Sequence, residues 1–225
     1  MPTPVSEVVV ISCHPDSAVS DTLKEMYSIL SRQSGFLGGH WGKWIENEDK
    51  VQLVNGKPPP SHYQSKQISN RSVIEWDDIS SLINFHETPD FAALQSLTGT
   101  LLASPPEVHQ VYFDPPLSTV LKPSASSVIE IVTFHSPIPT LDDKIKEFYN
   151  IKELSEVVGK AEGLRGVCKG TMVEETENAS QYFVEWESVK AHEDANARED
   201  FKARMYLMAG IAEKIEMHHV KFQAT

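Results

Sequence analysis

The segment from Val128 to Phe134 reads VIEIVTF, and Glu130 is its one ionisable side chain. A carboxylate buried among apolar neighbours costs several kcal/mol or keeps its proton, which is how a general acid or base is tuned. At a sheet edge, or bonded to a neighbouring strand, the same residue would be structural. His86 follows Ile79, Leu82 and Ile83 at i, i+3, i+4 and i+7, a spacing that turns it toward a core. His192 lies three residues after Val189 and matches Leu82 when the spacing from Trp to Phe is held fixed. A neutral imidazole there takes a proton from a phenol or an activated C–H; the alternative is a core histidine donating to a backbone carbonyl. Tyr112 and His219 share a strand phase with Val108, Gln110 and Met217, and the Tyr112 hydroxyl can orient a carbonyl or phenol. Trp41, Trp76 and Trp186, with Phe85 and Phe91, supply apolar wall for a substrate; for Trp76 and Trp186 an anchoring role beneath a helix is the simpler account.

The elements that position these groups come as a repeat. EVVVISCH (Glu7 to His14) resembles VIEIVTFH (Val128 to His135) at an offset of 121, which places Val9 opposite Glu130. GFLGGHWGKW resembles GLRGVCKGTM at 128, VIEWDDI resembles FVEWESV at 110, and VHQVYF resembles MHHVKF at 109. Four blocks in one order mark a duplication. The drop in offset places an insertion of about eighteen residues around NGKPPPSHYQSKQ, whose three prolines forbid regular structure. Each half reads strand, helix, strand, strand, helix, strand. The first helices carry Leu23, Met26, Tyr27 and Leu30, and Leu141, Ile145, Phe148 and Tyr149. Thr140 and Asp143 have capping spacing, and Gly35 and Gly163 mark helix ends. Longer helical regions span about 78–102 and 189–215. A βαββαβ unit gives a four-stranded antiparallel sheet with both helices on one face. Two fused copies can bury their open faces on each other, so the expected fold is α+β: two ferredoxin-like repeats closing an intramolecular barrel. The halves are residues 1–116 and 127–225, joined by an extended linker at 117–126.

Composition removes several function classes. The 225 residues carry 20 basic and 32 acidic side chains, a net charge of −12 that repels nucleic acid and anionic membrane surfaces. No apolar run is long enough to span a bilayer, and the N-terminus lacks the pattern of a signal peptide. Cys13 and Cys168 are too few for a disulfide framework. A cytoplasmic, reduced protein is expected. No metal is expected: His218 and His219 are adjacent in a strand and point apart, and no HxH or HxxxH occurs with a carboxylate in register. No glycine-rich phosphate loop follows a strand, so no nucleotide or flavin cofactor is expected.

On Gly38 through Lys43 (GGHWGK), the pairs Glu75-Trp76 and Glu185-Trp186, Thr88-Pro89-Asp90-Phe91 and Phe113-Asp114, the chain resembles the dimeric α/β-barrel superfamily. That group includes antibiotic-biosynthesis monooxygenase domains and stress-responsive A/B-barrel domains. The resemblance covers nearly the whole chain, once per half, and the tandem form is similar to fusions common in filamentous fungi. It implies a cofactor-independent tailoring enzyme of natural-product biosynthesis, cyclising, isomerising or oxygenating a hydrophobic polyketide-like or aromatic substrate. The alternative it carries is a non-catalytic stress-responsive or ligand-binding barrel. The Tyr/His pair of the family's cyclases falls on Phe85 and Phe91, and on Ala195 and Phe201 in the second half. The Trp and His of its heme-degrading members fall on Phe85 and Gln95, then Ala195 and Met205, so heme is not expected. The protein is expected to act as a monomeric pseudo-dimer or a homodimer, with Glu130, His86, His192, His219 and Tyr112 as its acid/base groups.

Overall fold

In a computed structural model of the chain, which describes residues 3–14, 19–46, 68–120, 122, 126–151, 162–173 and 178–224, the Val/Ile-rich runs of both halves are strands. The first half contains β1 (Val5–Cys13), α1 (Val19–Leu30), β2 (Phe36–Trp44), β3 (Ile68–Trp76), α2 (Ile79–His86), α3 (Pro89–Gly99) and β4 (Glu107–Asp114). A helical turn, α4 (Leu117–Val120), lies in the connector. The second half contains β5 (Val128–His135), α5 (Leu141–Tyr149), β6 (Leu164–Met172), β7 (Ala179–Trp186), α6 (Val189–Ala197), α7 (Glu199–Lys202), a 3₁₀ turn at Met205–Met208 and β8 (Lys214–Ala224). The proline-rich insertion lies outside the described residues.

The eight strands close into one antiparallel barrel in the order β1-β3-β2-β8-β5-β7-β6-β4. Each half contributes a four-strand sheet, and the seams between halves are β2–β8 and β4–β6. Gly42 is required at the first seam: a Cβ there would stand 2.3 Å from the Lys221 carbonyl oxygen. Both halves carry the same irregularity, a register shift between Phe36 and Gly38 and another between Leu164 and Gly166.

Alternation along the strands sorts side chains between two environments. Val8, Val73, Val111, Ile129, Ile131, Phe183 and Val220 fill the barrel interior. The opposite faces pack under the helices as two separate cores, one per half. Both first helices bury the expected stripes: Leu23, Met26, Tyr27 and Leu30, and Leu141, Ile145, Phe148 and Tyr149. The Glu-Trp pairs straddle the sheet. Trp76 and Trp186 are fully buried on the helix side, whereas Glu75 and Glu185 point into the barrel.

Several local expectations are corrected. The connector is not extended throughout: Leu117 enters the barrel end, the Ser118 N–H donates to Glu75 at 3.3 Å, and the Lys122 N–H donates to Glu185 at 3.0 Å. The barrel-facing glutamates therefore pin the chain that joins the halves. Each long helical region is broken. Pro89 supplies no N–H, so α2 stops at His86 and Thr88 restarts the helix by accepting from the Phe91 N–H at 3.2 Å. Thr140 makes no capping hydrogen bond. Gly35 does not end α1, which stops at Leu30. Gly35 and Gly163, at φ of +82° and +84°, lead into β2 and β6, and their carbonyls accept from the N–H groups of Asp77 and Glu187 at 2.8 Å. Residues 152–161, ahead of Gly163, lie outside the described ones. Asn150, at φ +56°, is the residue that ends α5.

Candidate functional site

Register decides which residues correspond between halves. Val5 pairs with Trp76 and Val128 pairs with Trp186, so Glu130 corresponds to Glu7 and not to Val9. Glu7 pairs with Gln110 on β4 as Glu130 pairs with His219 on β8. A helix-facing carboxylate at this strand position is thus shared by both halves. In each, the tryptophan ending the third strand donates its indole N–H to it: Trp76 to Glu7 at 3.2 Å and Trp186 to Glu130 at 2.8 Å. His14 and His135, which the sequence pairs, are not equivalent. His135 takes the place of Ser12 and binds Glu216 at 2.9 Å.

Around Glu7 the space between helices and sheet is open. A cavity of about 470 Å³ lies between β1/β3 and the three helices of the first half. Val9, Ile11 and Ile74 form its floor, Met26 and Leu30 one wall, and Phe85, Phe91 and Leu94 another. Polar groups on its surface come from Glu7, Ser72, His86, Gln95 and Thr98. The Ser72 hydroxyl is engaged by Tyr27 Oη at 2.7 Å, and Thr98 donates to the Leu94 carbonyl at 2.7 Å. His86 Nε2 lies 3.6 Å from Glu7 Oε1, and the ring packs at 4.3 Å against Phe91. His86 stands at the cavity rim, its side chain 35% exposed, and Ile83 faces solvent. The i, i+3, i+4, i+7 pattern turned both inward, but α2 buries Leu82 and Phe85, so its core face lies to one side of that stripe.

This arrangement is chemically usable. Glu7 is nine-tenths buried and anchored by an indole, so it can offset the charge of an imidazolium at His86 while the imidazole holds a substrate proton. Glu7 was not among the groups singled out from the sequence. Its signal was present, since it has the same two-residue spacing from a strand-starting Val as Glu130, but the block alignment hid it.

In the second half, among the described residues, Phe148, Tyr149, Phe201, Leu207 and Ile211 pack into the core beneath the helices. Here Glu130, His192 and His219 converge, all buried. His192 corresponds to Leu82, Asn196 to His86, and His219 to Gln110. His192 Nδ1 lies 2.8 Å from His219 Nε2, and Asn196 Nδ2 lies 2.9 Å from His192 Nε2. The His192 ring stacks on Trp186 at 4.8 Å, and its Nε2 stands 3.6 Å from Glu130. Glu46, just beyond β2, reaches across the seam to bond both the Nδ1 and the backbone N–H of His219. With both rings neutral, Glu46 fixes the hydrogen on His219 Nδ1, and each later group donates back along the chain. Burial lowers the pKa of His192 despite the nearby Glu130. Burial also opposes protonation of His219, but its bond to Glu46 and the charge of Glu130 outweigh it and raise its pKa. For Glu46, burial works upward and the His219 bond overrides it, leaving a lowered value.

The sequence-derived candidates thus separate into distinct places. His86, Phe85 and Phe91 line the first-half cavity. Glu130, His192, His219 and Trp186 form the second-half cluster. Tyr112 and Trp41 pack in the first-half core without lining the cavity, and Trp76 lies beneath α2, stacked on Phe85 at 5.3 Å. Glu46, which completes the cluster, has no periodic signal, because only the β2–β8 seam brings it to His219.

No protein-family model matches the chain, and no curated protein matches it in sequence. Solved structures do match over its full length. A candidate monooxygenase from Lactobacillus acidophilus superposes with a TM-score of 0.63 at 9% identity, covering 98% of this chain and 94% of the other. A candidate monooxygenase from Fusobacterium nucleatum gives 0.64 at 11% identity, covering 98% and 93%. An anthrone oxidase-like protein gives 0.62 at 11% identity, covering 99% and 93%. The chain shares the α+β fold of these proteins, a closed eight-strand antiparallel barrel built here from two similar halves. At these identities the likeness speaks for the fold alone, and the site must speak for the chemistry.

Proposed function

We propose that the chain is a tailoring enzyme of oxygenase type that acts on a hydrophobic, phenolic or carbonyl-bearing small molecule in the first-half cavity, without an organic cofactor. One observation carries the reading: a cavity of about 470 Å³ with mostly apolar walls and a Glu7–His86 pair at its edge. A volume of this size suits a small polycyclic or polyketide-like molecule. His86 takes a proton from a carbon or hydroxyl beside a carbonyl, and Glu7 steadies the imidazolium. The apolar walls keep water from the anion. A carbanion of this kind adds O₂ directly, and loss of water from the resulting hydroperoxide leaves a new carbonyl. Anthrone oxidation to a quinone has this stoichiometry, and the anthrone oxidase-like neighbour makes anthrone a sensible first probe.

The test combines binding and turnover. The purified chain is incubated with a metabolite extract and separated by size, and released molecules are identified by mass spectrometry. Anthrone conversion in air is followed beside it, against the rate of autoxidation. Retention of aromatic carbonyl compounds, blocked by Leu94→Trp in the cavity wall, is the expected result. A chain that retains nothing and converts nothing would move the reading to the non-catalytic barrel.

A further inference from the structure

We propose that Glu130, His192 and His219 bind a first-row divalent transition metal ion in the second half of the barrel. One donor atom from each lies within 4.8 Å of the other two, and the three come from three elements, β5, α6 and β8. Two imidazoles and one carboxylate form a donor set that suits Zn²⁺, Fe²⁺ or Co²⁺ and leaves coordination positions open. The two histidines face each other through ring nitrogens 2.8 Å apart, close to the spacing of neighbouring ligands on one ion.

The surroundings add what a ligand set alone would not. Metal-binding histidines direct their other nitrogen to a carboxylate, amide or carbonyl that fixes the ring. His219 does so through Glu46, the His192 ring is held in place by the Asn196 amide at 2.9 Å, and Glu130 accepts from the Trp186 indole. The three side chains are 4–8% exposed, in a part of the core walled by Trp186 and Tyr149. The barrel itself does not demand these groups, since the first half carries Leu82 and Gln110 in place of the two histidines and retains only the carboxylate. The site is separate from the first-half cavity and does not depend on the reading given for it.

The test uses the full chain, stripped with a chelator, returned to chelator-free buffer and titrated with Co²⁺ and Zn²⁺. One equivalent of Co²⁺ should bind and develop d–d absorption, and Zn²⁺ should displace it at the same stoichiometry. His192→Gln and Glu130→Gln should abolish the Co²⁺ spectrum with the circular dichroism unchanged. Glu46→Gln, which alters only the support of His219, should weaken Co²⁺ binding about 10–100-fold. His135→Ala, at a surface imidazole, should leave it unchanged. Absence of Co²⁺ binding by the wild-type chain would overturn the proposal. So would one equivalent bound equally well by the folded His192→Gln variant.

Discussion

Glu7 and Glu130 occupy the same place in the two halves, each under the indole N–H of a tryptophan that ends the third strand. Around this shared pair the halves diverge. The first has an open cavity with one imidazole at its rim; in the second, among the described residues, Phe148, Tyr149 and Phe201 pack together and two imidazoles are brought in.

For the first half, Glu7→Gln and His86→Ala should each lower turnover about 10²–10⁴-fold, the usual range for losing acid/base assistance. The loss should fall on kcat, with retention of ligand by the folded variants nearly unchanged, because neither side chain supplies the apolar wall. Steady-state kinetics beside the size-separation assay checks this.

Trp186→Phe removes the donor to Glu130 in a part of the core where both residues are almost fully buried. A buried acceptor left without its donor costs about 1–3 kcal/mol. Trp76→Phe should cost less, since its bond is longer and Glu7 borders the cavity. Urea denaturation of the two variants, in chelator, reads the difference directly.

Leu117, 5% exposed, joins the linker to the barrel interior. Leu117→Ala should destabilise by about 2–5 kcal/mol, the range for emptying a packed aliphatic site. A loss well under 1 kcal/mol in equilibrium denaturation would show that the linker contributes little to closing the barrel.

Asp142 accepts from Lys169 at 2.7 Å and from Tyr182 at 2.5 Å. Partial burial pushes its pKa upward, but these two bonds and the nearby charges prevail and hold it below 3.8, the ordinary aspartate value. A lowered folded pKa stabilises above the unfolded value and loses that contribution as pH falls through the folded one. The stability difference between wild type and Asp142→Asn should therefore be largest above about pH 5 and shrink progressively below the ordinary aspartate value. Thermal melts across pH 2.5–7 check the sign.

The fold was largely legible in the chain. Recurrence of four blocks, period-2 strands and helix stripes such as Leu23-Met26-Tyr27-Leu30 are local signals, and burial of one face follows from each. The site was legible only in part, for reasons that lie in pairing. Matching Glu130 to Val9 or to Glu7 differs by two residues, and a slip of two keeps every side chain on the same face of its strand. Hydrophobic alternation is blind to that choice; hydrogen bonding against Trp76 and Trp186 made it.

Residue types and their phase on strand or helix were set by the sequence alone: a carboxylate facing the helices, imidazoles on α6 and β8, aromatics along α2. Tertiary structure decided which of them meet. Glu46 reaches His219 only because closing the barrel lays β2 beside β8, far apart in the chain. The first-half cavity is bounded by side chains from β1, β3, α1, α2 and α3, and a volume summed over distant residues has no local pattern to read.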